Sequence, residues 1–139
     1  MAKMEINGIE ELCSDLAALA ELPDSVTDGI LNAEADVIVA AQQKTMAQMW
    51  RGPYATGETA RSIRKGKVKR GKTGKSISVT PQGRNRKGER NAAVAFINEY
   101  GKRGQAPRPA IKTANEQAES AAVEAGEKVY HAFLDSKKL

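Results

Sequence analysis

Apolar residues recur at spacings of three and four near the start of the chain, at Ile9, Leu12, Leu16 and Leu19, and mark one face of a short helix. Ahead of them Ile6 to Gly8 reads as a short β-like start. Pro23 cannot continue a helix, so the first one ends near Leu22, and "PDSVTDG" supplies turn and cap residues. A longer helix follows from about Val26 to Met49, with Ile30, Ala33, Val37 and Ala40 or Ala41 along one stripe. Gly52 and Pro53 terminate it, and Met46, Met49 and Trp50 read as packing at its end.

The middle of the chain changes period. Ile77 and Val79 alternate with Ser76, Ser78 and Thr80, and Gly66, Gly71 and Gly74 interrupt the run, which predicts a β-hairpin with a basic, mobile tip around Arg70 to Gly74. "PQGRNRKGERN" is too polar to pack and reads as a flexible loop. "NAAVAFINEYG" carries Val94, Phe96 and Tyr100 on one side of an extended segment and Ala95 and Ile97 on the other, the pattern of a central strand. Pro107 and Pro109 punctuate its exit. Ile111, Ala114, Ala118, Ala121, Ala125, Val129 and Phe133 then form the stripe of a last helix that ends at Lys137 and Lys138. The predicted class is α+β: an N-terminal helix and a long helix, a small antiparallel sheet with a basic hairpin and loop, and a C-terminal helix. A chain of 139 residues is the size of one domain, expected over 1–139 with flexible basic segments around 64–76 and 81–91.

Composition sharpens this picture. Hydrophobic residues make up 40%, but many are alanine, and the aromatics are six: Trp50, Tyr54, Phe96, Tyr100, Tyr130 and Phe133. The expected core is thin and helix-rich, a kind that often gains stability from subunit contacts. No run of about 18 apolar residues and no cleavable leader stands in the sequence, so a soluble protein made in a cytoplasm is expected. Cys13, the single cysteine, reads as a small apolar residue between Leu12 and Leu16.

Charge is distributed unevenly. Between Arg61 and Arg90 stand twelve basic residues against Glu89, a net of +11, whereas the remaining ten basic and sixteen acidic residues give −6. Such a local field favours phosphate or an acidic protein surface. Candidate contacts to DNA or to a partner are Arg64, Lys65, Lys67, Lys69, Arg70, Lys72 and Lys75 in the hairpin, and Arg84, Arg86, Lys87 and Arg90 in the loop. Interleaved aromatics for base stacking are missing from the segment, as are helix-turn-helix and zinc signatures, which argues against sequence-specific reading.

His131 is the only histidine, which removes metal sites built on several imidazoles and leaves no base paired with a nucleophile. "GKS" at Gly74 to Ser76 lacks the preceding glycine at position 69 that a phosphate-cradling Walker loop needs. Glu10 with Glu11, and Glu34 with Asp36, read as solvated helix faces. The expectation is a non-enzymatic protein without cofactor or metal.

The order of motifs resembles the small tail-completion or head–tail joining proteins of long-tailed bacteriophages, the minor tail protein Z type included. The likeness runs over nearly the whole chain: "INGIEEL", an alanine-rich helix, Thr56-Gly57 followed by Ser62-Ile63, a basic variable stretch, Phe96 with Glu99-Tyr100-Gly101, then Arg108-Pro109 opening the last helix. Two positions depart from the family pattern, Thr59 where a leucine is usual and Ala110 where an aromatic commonly follows Arg-Pro.

This resemblance implies a structural virion protein that completes the tail and joins it to the head within a neck ring around the DNA channel. Its partners would be further copies of itself in a hexameric ring, neighbouring neck and tail proteins such as a stopper, tail terminator or tail tube, and non-specifically the genome DNA, with no membrane. It would be synthesised in the bacterial cytoplasm and located in the virion neck. Thr56, Gly57, Phe96, Glu99, Tyr100, Gly101, Arg108 and Pro109 are the interface and junction candidates, Arg108 being expected to face an acidic neighbour and Glu99 being one possible partner for it. The competing expectation is a sequence-tolerant nucleic-acid-binding protein acting through 61–90.

Overall fold

A computed structural model of the chain describes residues 9–20, 22–52 and 55–138. Among the described residues five helices and four short strands follow in order: α1 (Ile9–Ala20), α2 (Asp24–Met49), α3 (Glu58–Arg61), β1 (Ile63–Lys65), β2 (Lys69–Gly71), β3 (Gly74–Ser76), β4 (Val79–Pro81), α4 (Asn91–Tyr100) and α5 (Ala110–Ser136). The class is α+β. The β-like start expected at Ile6 to Gly8 lies outside the described residues.

Two long helices form the frame. Gly29 faces Val129, Glu34 crosses Gly126, the Gln42 amide donates to Asn115 Oδ1 at 2.9 Å, and Trp50 Nε1 donates to the Arg108 carbonyl at 2.8 Å, so α2 and α5 run antiparallel. Small side chains make the close approach possible: Ala110, Ala114, Ala118, Ala122 and Gly126 are the buried positions of α5. A Cβ on Gly126 would fall 3.0 Å from Glu34 Cγ. The strict spacing of four sets the stripe obliquely across α5, along the row of side chains that packs into the grooves of a crossing helix.

On α2 the buried positions are Ala35, Gln42, Thr45 and Met46, not the expected stripe of Ile30, Ala33 and Val37. The buried face mixes small and polar residues, with Gln42 bonded to Asn115 of α5, so fit to the partner helix and not the apolar stripe selects it. The core proper lies at the C-terminal end of α2, where Met46 and Ile63 are fully buried against Ala60 and Ala110, with Met49, Trp50, Val79 and Ile111 around them. Packing at the end of the long helix is therefore the role of Met46, Met49 and Trp50.

The hairpin forms as the alternation predicts. β1 pairs antiparallel with β4, matching Ile63 to Pro81 and Lys65 to Val79, and β2 pairs with β3, matching Lys69 to Ser76 and Gly71 to Gly74. Three residues on one arm (66–68) oppose two on the other (77–78), which breaks the ladder into two short sheets in the manner of a bulge. The Gly66 N–H still bonds the Ser78 carbonyl at 2.7 Å across the break. Beyond β4 the polar loop folds on itself, Asn85 Oδ1 accepting the N–H groups of Lys87 and Glu89 at 3.0 Å each.

The expected central strand is instead helix α4. Asn91, Ala95 and Glu99, spaced by four, are its buried positions, and Phe96 and Tyr100 stand outside. A short run with apolar residues on both sides of an extended chain fits a helix as well, and three alanines in its first five residues favour one. Gly101 stops the helix with φ 80° and ψ 176°, a conformation essentially confined to glycine.

Candidate functional site

The junction between α4 and α5 is built from polar residues inside an apolar run. Glu99 is buried, yet it forms no ion pair among the described residues: its two carboxylate oxygens accept the N–H groups of Ile111 and Lys112 at 2.9 Å each. Helix α5 begins after Pro109, which has no side-chain cap of its own, so Glu99 caps it from a neighbouring helix. Unsatisfied N–H groups and the positive end of the helix dipole hold the buried charge there.

Arg108 likewise turns inward. Its guanidinium donates to Asn98 Oδ1 at 2.6 Å and to the Arg51 carbonyl at 3.4 Å, its own N–H bonds the Asn98 carbonyl at 2.7 Å, and its carbonyl accepts from Trp50. Arg108 and Glu99, one possible pair on the sequence, are not bonded to each other, because each has a better-placed internal partner. Asn98, which the sequence reading passed over, also accepts from Gln105 Nε2 at 3.1 Å. Its signal was a polar residue interrupting "AFI-EYG".

Thr56 and Gly57 serve the start of α3. The Thr56 hydroxyl donates to Glu58 Oε2 at 3.0 Å and receives the Glu58 N–H at 3.3 Å, while Gly57 sits left-handed at φ 74°. A cavity of about 710 Å³ separates this turn from Asn98 and Arg108. Burial of Glu58 tends to raise its pKa, but hydrogen bonds from Thr56 and Arg86 outweigh it and hold the carboxyl below the ordinary value.

Phe96 and Tyr100, in contrast, are committed to nothing inside. They are 63% and 68% exposed, with ring centroids 4.9 Å apart, one turn from each other on the outer face of α4. Beside them runs a groove of about 690 Å³, floored by Ala95, Pro109 and Ile111 and rimmed by Lys112, Asn115 and Glu116.

A second exposed apolar face lies on α1. Ile9, Leu12 and Leu16 are 47%, 56% and 55% exposed, so these three residues of the predicted stripe face outward, and the Leu19 side chain lies outside what the structure describes. Cys13 on that stripe is exposed too.

The basic candidates divide into two sets. Lys75 lies between Asp24 Oδ1 at 2.9 Å and Asp28 Oδ1 at 2.7 Å, Arg70 pairs with Asp24 at 2.9 Å, Lys65 with Asp36 at 2.8 Å, and Arg86 with Glu58 at 3.3 Å. Register places Arg70 opposite Lys75, so one face of the hairpin tip is clamped on the first turns of α2. Hydrogen bonding to Asp28 and Asp24 raises the Lys75 pKa, and the Lys75 hydrogen bond, then its charge and that of Arg70, lower Asp24. Lys67, Lys69 and Lys72 are exposed and form no ion pair among the described residues. In the loop Arg84 bonds the Gly88 carbonyl at 2.7 Å, and Lys87 and Arg90 are exposed, as is Arg64 on β1.

Among the described residues no group of three or more His, Cys, Asp or Glu could hold a metal ion, and no helix is long and apolar enough to cross a membrane. His131 is exposed near the end of α5, 6.0 Å from the Tyr130 ring. The chain matches no protein-family model, no curated protein and no solved structure.

Proposed function

We propose that this chain is a non-enzymatic structural protein of a long-tailed phage virion, completing the tail and joining it to the head as one subunit of a neck ring around the DNA channel. The observation that carries the reading is the exposed pair Phe96 and Tyr100 beside an apolar groove. A chain with six aromatics and an alanine-lined core gains most by burying them, and holding two of them outside favours burial against another subunit. The order of sequence motifs, from "INGIEEL" to Arg108-Pro109, supports the same assignment.

Electron microscopy of particles from a phage with an early stop codon in this gene tests it. Filled heads and free tails should accumulate unjoined, and normal virions would overturn the reading. Complementation with Phe96→Ser/Tyr100→Ser should fail to restore joining, although the isolated variant keeps its fold.

A second reading rests on Lys67, Lys69 and Lys72, which stay exposed while Lys65, Arg70 and Lys75 pair internally. As a sequence-tolerant nucleic-acid-binding protein, the chain would bind duplex DNA with an affinity that falls steeply with salt. Neutralising these three lysines would then flatten the salt slope by about 3. Weak binding that ignores the substitutions leaves the assembly role alone.

A further inference from the structure

We infer that the groove beside Phe96 and Tyr100 receives helix α1 of a second copy of this chain, so that copies meet head to tail. The inference rests on the assembly reading and names the contact that would join its subunits. Each half is present on every copy: Ile9, Leu12 and Leu16 form an exposed stripe, and Phe96, Tyr100 and Ile111 border a groove with an apolar floor. A helix laid into an apolar groove by residues spaced three and four apart is a recurrent recognition mode.

Reach decides that the helix comes from another copy. The groove lies at the start of α5, level with Gln42, because Gln42 bonds Asn115. Helix α1 is tethered at the opposite end of α2, ahead of Asp24. From Asp24 to Gln42 the α2 axis advances about 27 Å at 1.5 Å per residue. Leu16 is separated from Asp24 by one helical turn, about 6 Å, and a short link that spans at most about 14 Å when fully extended. Leu16 therefore stops about 7 Å short of its own groove even with the link drawn straight, on the same rise and reach. Its stripe cannot seat there as a unit.

Charge agrees with the pairing. Glu10 is exposed beside the stripe, and no Lys or Arg occurs in the sequence from Met4 to Gln43. At the groove Lys112 stands on the rim, and Lys102 and Arg103 follow Tyr100 in the next turn. Of the carboxylates there, Glu99 is engaged with α5, leaving Glu116. The contact uses different patches on the two partners, the heterologous type that closes into rings or extends as filaments.

Cys13 makes the contact testable in purified protein. The wild-type chain, with its native thiol on α1, is mixed with a size-tagged Cys13→Ser/Lys112→Cys chain and treated with a short bis-maleimide. The expected product is a mixed dimer joined between positions 13 and 112, identified by peptide mass, in excess over either homodimer. Adding Leu12→Glu/Leu16→Glu to the wild-type chain should abolish it without moving the melting temperature. Homodimers alone, or no product at concentrations where the thiols react with monomaleimide, would overturn the inference and leave the groove to another protein. Because the readout needs no phage, it is separate from the head–tail joining test: a mixed dimer alongside normal stop-codon virions would keep this contact and remove the neck assignment.

Discussion

Replacing Glu99 tests whether a buried carboxylate caps α5 from the neighbouring helix. The side chain is 7% exposed and accepts two N–H bonds of 2.9 Å. Glu99→Ala removes both acceptors and leaves two donors of the first turn without partners, at about 1–3 kcal/mol each when the group stays out of water. Partial access of water to Lys112, an exposed residue, places the expected sum near the middle, about 3–4 kcal/mol. Glu99→Gln keeps one carbonyl acceptor but turns an NH₂ toward the second donor and removes the charge that faces the helix dipole, at about 1.5–3 kcal/mol. Urea unfolding followed by circular dichroism should rank wild type above Gln above Ala at an unchanged m-value, with Glu116→Gln on the groove rim within about 0.5 kcal/mol of wild type. A Gln variant as stable as wild type would refute the role of charge, and an Ala variant within about 1 kcal/mol would refute the cap itself.

Other consequences follow from single residues. Gly101→Ala should cost more than about 3 kcal/mol in the same assay, because the backbone conformation excludes L-residues and the new Cβ would stand 2.8 Å from the Gln105 carbonyl oxygen and 2.9 Å from Pro107 N. Gln42→Met should stay within about 1 kcal/mol of wild type or exceed it, since it gives up one bond to Asn115 but also removes the buried Gln42 Oε1, which has no partner. Lys75→Ala should speed tryptic cutting after Lys67, Lys69, Arg70 or Lys72, whereas Lys72→Ala should affect only its own site; equal rates elsewhere in the hairpin would remove the clamp. The clamp also sets a pH window. Asp24 is lowered in the folded chain, so its contribution is present above pH 3.8 and lost as pH falls through the lower folded value, while the Lys75 contribution is present below 10.5 and lost only as pH rises through a still higher value. Protection of the hairpin amides, their exchange taken relative to intrinsic rates, should be flat across neutral pH and fall at the acid end.

How much of this was legible in the sequence depended on whether a pattern had one solution. The Ile9, Leu12, Leu16 spacing gave a helix in either environment, but nothing in a periodic stripe says whether a core or a partner covers it. Period two over Ser76 to Thr80 found the hairpin because turn glycines bounded it. The same test misread 91–100, where apolar residues on both sides satisfied strand and helix equally, and the buried Asn91, Ala95 and Glu99 were the fit that pattern counting discards. Glu99 and Arg108 were legible as junction residues, but their partners were not. Opposite charges nine residues apart allow a pair, whereas Glu99 accepts from main-chain N–H groups, which carry no sequence signal, and Arg108 donates to the Asn98 side chain and the Arg51 carbonyl. Lys75 could not be separated from Lys72 without knowing which face of the hairpin meets α2.

Among the described residues, the large side chains that are fully buried are Met46 and Ile63, against six large hydrophobics left exposed: Ile9, Leu12, Leu16, Phe96, Tyr100 and Val123. A monomer gains nothing from that balance, and a contiguous apolar patch marks a surface that another molecule covers. The α1 patch is tethered at one end of the α2–α5 frame and the groove lies at the other, so their separation is set by two packed helices and the orientation of the groove wall by the Glu99, Asn98 and Arg108 bonds. Loosening that wall should therefore be felt in assembly before it is felt in folding. In Glu99→Gln at a temperature where the chain remains folded by circular dichroism, cross-linking between Cys13 and position 112 should already fall. If it falls only in step with unfolding, the junction stabilises the subunit and does not aim it.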